Sequence, residues 1–252
     1  MAFEKNFPMP EGFDLRAFDV LDSTNLECVR CAEAGHAGNL WVVSERQTAG
    51  KGRRGRTWIS ESGNLFTSLL YRIDCDLATA SQLSFVAALA VRDAMADILQ
   101  SVDQVTCKWP NDVLVGGRKI SGILLETTGQ GGNAPSHVVI GIGVNIRHCP
   151  TEVLYPTTCL EQEGAVDETP ARVMARLAPS MDHWLCQWKK HGFAPIRKAW
   201  KAVAQGIGQE ITVRLPNEAL QGRFVDLDET GALILEVAGE RRHITAGDVF
   251  FN

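Results

Sequence analysis

Apolar residues in the first four fifths of the chain form short runs and one long stripe, which predict strands and a helix. Positions spaced by three and four from Leu83 to Ile98 predict a helix over 80–99. Start and stop signals predict helices over 25–34 and 194–202, and one that begins at Thr169-Pro170 and is interrupted at Pro179. The runs that predict strands are 17–21, 40–44, 65–71, 105–109, 113–115, 119–126 and 138–146.

The pattern changes towards the C-terminus, where short β-type runs follow one another closely. Turn residues such as Pro216-Asn217 and Thr230-Gly231 separate them. Such spacing predicts a small barrel, and we place the domain boundary between 1–206 and 207–252. The predicted strands are 211–215, 222–225, 232–237, 242–244 and 249–251. Residues 1–16 and 129–135 are expected to be irregular.

Composition excludes several classes of protein. The chain has 252 residues, 45% of them hydrophobic and 22% charged, which is typical of a globular protein. A net charge of −5 argues against a general nucleic-acid binder. No apolar run is long enough to span a membrane, and no signal pattern opens the chain, so we expect a cytoplasmic protein. The seven cysteines lack metal-ligand spacing and are expected to be free thiols.

The most distinctive segment is the loop over 47–58. Residues 50–57 contain four cations and three glycines, a combination that lets backbone N–H groups and positive charges surround an anion. A solvated basic loop is the alternative. Like charges and flexible glycines also predict that 50–56 is mobile until an anion binds. Neither a dinucleotide fingerprint nor a P-loop fits, because both need a helix after the loop and a β-type run follows here.

A second segment is the run Lys-Trp-Pro-Asn-Asp at 108–112, followed by Arg118 and Lys119. Pro110 ends the strand, so Asn111 and Asp112 project from a strand end. An aspartate there can hold Mg²⁺ together with substrate phosphates. An Asn-Asp turn with surface cations is the alternative.

Two weaker segments complete the set. Ser23, Thr24 and Asn25 either cap a helix or bind a polar ligand at its N-terminus. The glycines at 141 and 143 interrupt a strand, which implies close approach either of a ligand or of a packed helix.

In this order, the four segments resemble the motifs of the biotin–protein ligases. Ser-Thr-Asn at 23–25, the loop from Gln47 to Arg56, the run at 108–112 with 118–119 and Gly122, and Gly-x-Gly-x-Asn at 141–145 all match. Lys51 stands where arginine is usual, which keeps the charge and loses the planar fork. The resemblance covers about 17–146, and the tail is similar to the family's SH3-like barrel. It implies an α+β fold: a mixed β-sheet with helices on one side, plus the small C-terminal barrel.

The resemblance implies an ATP-dependent ligase. Biotin and Mg-ATP would give biotinyl-5′-AMP, and the biotinyl group would pass to a lysine of a biotin carboxyl carrier protein domain of a carboxylase. A lipoate– or octanoate–protein ligase or transferase is the alternative. Only about 16 residues precede the first predicted strand, so we expect the monofunctional type, without DNA binding. No membrane partner is expected, and a homodimer is left open.

The resemblance also implies roles for individual residues, with Lys119 and Arg53 as the catalytic pair. Asp112 would hold the metal. Biotin would contact Ser23, Thr24, Asn25, Gln47, Gly50, Lys51, Gly52, Arg53, Lys119, Gly122, Gly141 and Gly143. ATP would contact Arg53, Arg54, Arg56, Trp58, Asn111 and Asn145.

Overall fold

A seven-stranded mixed sheet forms the centre of the fold. The structure, a computed structural model, describes residues 9–128, 136–151 and 155–251, so the loop predicted over 129–135 lies outside it. The strand order is β1-β2-β3-β7-β6-β5-β4, with β1 and β2 parallel and the other neighbours antiparallel. The strands are β1 (Asp14–Leu21), β2 (Leu40–Gln47), β3 (Leu65–Arg72), β4 (Val105–Lys108), β5 (Asp112–Val115), β6 (Arg118–Thr128) and β7 (His137–Val144).

Helices cover both faces of this sheet, whereas the family resemblance implied helices on one side. The sides alternate along β2, because successive side chains of a strand point to opposite faces. Leu40 and Val42 join a small apolar cluster with Cys28 of α1, and Trp41 and Val43 join the main core. The helices are α1 (Thr24–Glu33), α2 (Leu77–Ser81), α3 (Leu83–Leu99), α4 (Pro170–His191) and α5 (Phe193–Ala202).

Two helix predictions were wrong in detail. The stripe over 80–99 belongs to two helices, since α2 ends at Ser81 and α3 begins at Leu83. The predicted interruption at Pro179 does not occur, and α4 runs through it. Its neighbours Ala178 and Met181 are buried in the main core, so tertiary packing outweighs the lost backbone hydrogen bond there.

The C-terminal segment forms a separate five-stranded antiparallel sheet, which confirms the predicted small β unit. Its strand order is β11-β10-β9-β8-β12. Apolar side chains such as Ile211 and Phe224 join the same core cluster as Phe85 of α3. Trp109 Nε1 also donates a hydrogen bond to Gly231 O at 3.0 Å. The strands are β8 (Glu210–Arg214), β9 (Ala219–Leu227), β10 (Leu233–Val237), β11 (Glu240–Ile244) and β12 (Asp248–Phe251).

Candidate active site

The four sequence segments meet around one cavity of about 660 Å³. Apolar side chains of the central sheet, including Phe66 and Ile142, form part of its wall. Two predicted residues, Gly50 and Arg54, do not line it. The predicted residues that do are Ser23, Thr24, Asn25, Gln47, Lys51, Gly52, Arg53, Arg56, Trp58, Asn111, Asp112, Lys119, Gly122, Gly141, Gly143 and Asn145.

A polar wall of the cavity lies at the N-terminus of α1. Ser23 occupies the N-cap position, yet its side chain makes no capping hydrogen bond. Thr24 and Asn25 are buried, and both form hydrogen bonds with residues of neighbouring strands. The Thr24 N–H donates to Gln47 Oε1 at 2.8 Å, and Gln47 Nε2 donates to Ser60 Oγ at 2.9 Å. The simple capping explanation of this segment therefore fails.

The glycines of β6 and β7 make room for side chains. A Cβ built on Gly141 would overlap the Asn25 amide, so α1 packs closely there. A Cβ on Gly143 would lie 2.5 Å from the Trp58 ring, and one on Gly122 would lie 2.9 Å from it. The Trp58 indole therefore lies against Gly122 and Gly143, two of the glycines that the resemblance implies for biotin binding.

The cationic loop is a tight hairpin whose conformation needs glycine. Gly52 N donates to Arg56 O at 2.6 Å, and Trp58 N donates to Gly50 O at 3.0 Å. Arg54 and Gly55 both have positive φ angles, of 56° and 74°. A Cβ on Gly50 would overlap Ser60 and the Trp58 carbonyl, so the turn requires glycine at this position.

Two arginines of the loop are bound to a carboxylate of the C-terminal sheet. Arg54 Nη1 lies 3.2 Å from Asp248 Oδ2, and Arg56 Nη2 lies 2.7 Å from Asp248 Oδ1. Burial alone would raise the pKa of Asp248, but the hydrogen bond from Arg56 and the nearby positive charges lower it. The loop thus has a counter-charge within the chain, and Arg54 is directed towards β12 rather than into the cavity.

The cations predicted to be catalytic lie against the run at 108–112. Lys119 Nζ is 2.6 Å from Asp112 Oδ1 and 5.4 Å from the centre of the Trp58 ring. Arg53 Nη1 donates to Asn111 Oδ1 at 3.0 Å, and burial lowers the pKa of Arg53. Asp112 is buried at the start of β5, so this segment is not a surface turn.

The sequence interpretation missed Tyr155 and Asp248, which both line the cavity. It also missed the contact of Lys108 with Tyr155. The Lys108 ammonium lies 3.5 Å from the centre of the Tyr155 ring, and that ring stacks on Phe250 at 4.9 Å. Burial raises the pKa of Tyr155 to about 12. Burial likewise lowers the pKa of Lys108 from 10.5 to about 8, although the negative charge of Asp112 opposes this. No motif marks Tyr155, since it lies far along the chain from its partners.

Lys108 gives the protein a specific pH dependence of stability. Its folded-state pKa lies below the unfolded value, so between pH 8 and 10.5 the unfolded chain binds a proton that the folded protein does not. The free energy of unfolding of the wild type, relative to Lys108→Met, should therefore rise through this window. The slope should not exceed about 1.4 kcal/mol per pH unit. Urea titrations at several pH values measure it.

Exposed Lys198 offers a matched control as Lys198→Met. If both variants follow the same pH profile relative to the wild type, burial of Lys108 does not control this dependence.

Comparison with known proteins matches two parts of this chain to known families. Residues 18–145 match the biotin/lipoate A/B protein ligase family, and residues 206–252 match the biotin protein ligase C terminal domain. The biotin–[acetyl-CoA-carboxylase] ligase of Paracoccus denitrificans is 40% identical over 235 residues, covering 91% of this chain and 97% of that protein. The chain belongs to the biotin protein ligase family.

Other members of the family agree with this assignment. The bifunctional ligase/repressor of Escherichia coli is 31% identical, covering 95% of this chain and 74% of that protein. A biotin protein ligase from Aquifex aeolicus, solved in complex with biotin and ATP, superimposes with a TM-score of 0.80 at 26% identity. The superposition covers 94% of this chain and 97% of the Aquifex aeolicus chain. Biotin–protein ligation is thus the supported function, and lipoate or octanoate transfer is not favoured.

The donors present would suit a metal ion that is held mainly by the phosphates of a bound nucleotide. In the part of the chain that the structure describes, no group of three or more His, Cys, Asp or Glu side chains could hold a metal ion. Mg²⁺ needs only one or two carboxylates when substrate phosphates and waters complete its shell. The buried carboxylate of Asp112, at the cavity wall, meets that need. Among the described helices, none is long and apolar enough to cross a membrane.

Proposed function

We propose that this chain catalyses two successive transfers at the cavity described above. In the first, an oxygen of the biotin carboxylate attacks the α-phosphorus of ATP, and pyrophosphate leaves with formation of biotinyl-5′-AMP. In the second, the ε-amine of a carrier lysine attacks the acyl carbon and AMP leaves. The carrier is the biotin carboxyl carrier protein domain of a carboxylase. Neither step needs a covalent enzyme nucleophile.

One observation supports this proposal most directly: cations lie at one part of a cavity that also has an apolar wall and a polar wall. The apolar side chains Phe66, Ile123 and Ile142 suit a bicyclic ring, and Thr24 and Gln47 suit its ureido group. Two anions must approach each other in the first step, and positioned charges stabilise that approach.

The roles of the charged residues follow from this arrangement. Lys119 would hold the biotin carboxylate, and Arg53 would bind the phosphate at which the new bond forms. Mg²⁺ bound with the phosphates would neutralise further charge beside Asp112 and the amides Asn111 and Asn145. Lys51 and Gly52 would cover the acyl phosphate, and Arg56 would exchange its contact with Asp248 for one with the nucleotide. Trp58 would leave the floor formed by the glycines and cover the ligand.

A pyrophosphate exchange assay tests the first step. Radiolabel from pyrophosphate should enter ATP when biotin and Mg²⁺ are present, and should not do so when lipoate replaces biotin. Incubation with biotin, Mg-ATP and a carrier domain should then add the mass of one biotinyl group to the carrier. Exchange that depends on lipoate, or a carrier of unchanged mass, would contradict the proposal.

We also propose a cytoplasmic location and a homodimer. All seven cysteines are free in the structure, which is typical of a reducing compartment.

Within the described residues β1 pairs only with β2 and forms an edge of the sheet, where Val20 is 48% exposed. Such an edge can pair with a second copy. Sedimentation equilibrium with and without biotin and Mg-ATP measures the oligomeric state.

A further inference from the structure

Asn25 is held from two sides by residues that the sequence motifs do not include. Its side chain lines the cavity and is only 4% exposed. Ser68 Oγ on β3 donates to Asn25 Oδ1 at 2.6 Å. On the other side, Asn25 Nδ2 donates to Glu126 Oε2 on β6 at 2.7 Å. Glu126 lies 101 residues away in the sequence, so this contact depends on the finished fold.

The direction of each hydrogen bond follows from the donors and acceptors available. An ionised carboxylate only accepts, so the amide nitrogen of Asn25 must face Glu126 and the amide oxygen must face Ser68. Ser68 has one hydroxyl proton to donate. Its Oγ lies 2.7 Å from Thr24 Oγ1 and 2.6 Å from Asn25 Oδ1. The amide oxygen cannot donate, so Ser68 donates to Asn25 and is free to accept from Thr24.

The chain of hydrogen bonds sets what the cavity offers to a ligand. With its proton directed to Ser68 or to Gln47 Oε1 at 3.1 Å, Thr24 keeps a lone pair that can accept from a ligand N–H. Asn25 keeps one amide proton that can be donated. The carboxylate of Glu126 lies at the other end of this chain of hydrogen bonds. It fixes the pattern because a carboxylate accepts hydrogen bonds and donates none.

The absence of a side chain at Gly141 leaves room for the Asn25 amide. Gly141 pairs with Ser68 across β3 and β7, and a Cβ at this position would overlap the Asn25 amide. The side chain of Asn25 is therefore enclosed between β3, β6 and β7.

We propose that Glu126 and Ser68 are positioning residues for the ureido ring of biotin, acting through Asn25 and Thr24. This inference rests on the proposed function. Loss of Glu126 frees the Asn25 amide to rotate, and the cavity then presents the wrong donor or acceptor to the ring. The hydrogen bonds of Asn25 to Glu126 and Ser68 involve none of the residues proposed to bind ATP, so we expect binding of ATP to be unchanged.

Kinetics of biotin-dependent pyrophosphate exchange test the proposal. Glu126→Ala should raise the KM for biotin by about tenfold to a hundredfold, the size expected for losing a hydrogen bond to a charged group. The KM for ATP and the kcat should change less than about threefold, within the range of a surface substitution. Glu126→Gln keeps an acceptor oxygen and should restore most of the affinity for biotin. The control is Glu236→Ala, which removes a carboxylate paired with Arg223 on the C-terminal sheet.

A reciprocal pair of variants covers the case in which Glu126→Ala does not fold. Asn25→Asp sets a second carboxylate against Glu126 and should lower the thermal midpoint. Adding Glu126→Gln supplies a donor to that aspartate and should recover most of the loss. No recovery in the double variant would overturn the assigned contact.

The outcomes for the function and for this inference are distinct. A wild type without biotin-dependent exchange would overturn the proposed function itself. An active wild type, combined with a Glu126→Ala variant that keeps its KM for biotin or loses only kcat, would overturn the positioning role alone.

Discussion

Replacing Lys119 with alanine should slow the formation of biotinyl-adenylate by about 10²–10³, equivalent to ~2.7–4 kcal/mol of transition-state stabilisation. The ammonium lies at the cavity wall, 2.6 Å from Asp112 and beside the face of Trp58. In the proposed first step this ammonium screens the biotin carboxylate as it approaches the α-phosphate. Single-turnover measurement of adenylate from biotin and Mg-ATP reports the step directly.

The second half-reaction provides the internal control. Transfer to the carrier from supplied biotinyl-adenylate should be less affected by Lys119→Ala, because the acyl phosphate already exists. Alanine also leaves Asp112 without its ion-pair partner, so the thermal midpoint must be measured too. For the thermal midpoint alone, since Asp112 is also the proposed metal ligand, the double variant Lys119→Ala/Asp112→Asn removes that uncompensated charge. Adenylate formation at the wild-type rate in Lys119→Ala would show that Lys119 does not screen the reacting groups.

The local patterns in the sequence were enough to place most elements and most of the cavity lining. Strand runs such as those in β3 and β7 differ from the predicted bounds by one or two residues, because buried runs carry a strong signal. The glycine at 143 could be predicted as a point of close approach, since a strand otherwise disfavours glycine. What approaches it in this structure, Trp58, could not be predicted.

The remaining features depend on contacts between distant parts of the chain. Asp248 lies 192 residues from Arg56 in the sequence, and Glu126 lies 101 residues from Asn25. No spacing rule relates such pairs, because only the assembled sheet brings them together. Pro179 shows the same limit in reverse: its local signal for a helix break is clear, yet packing of α4 against α3 overrides it.

We predict that Asp248 restrains the motion of the cationic loop, and limited proteolysis measures this restraint. The sequence predicts a mobile loop because four like charges repel each other, but Asp248 provides a counter-charge to Arg54 and Arg56 in the structure. Charge-assisted hydrogen bonds contribute about 1.5–3 kcal/mol each, and less at this partial exposure. Asp248→Asn should therefore speed tryptic cleavage between Arg53 and Arg56 on the order of ten- to a hundredfold.

The same experiment with ligands separates two sources of order in the loop. Biotin and Mg-ATP together should protect the loop in both proteins, because the adenylate brings its own negative charge, whereas lipoate and Mg-ATP should not. Asp226→Asn is the matched control, since Asp226 pairs with Arg197 and Lys201 away from the loop. Equal cleavage of Asp248→Asn and wild type without ligand would mean that β12 does not restrain the loop. Equal cleavage with and without bound adenylate would mean that the loop does not close over the intermediate.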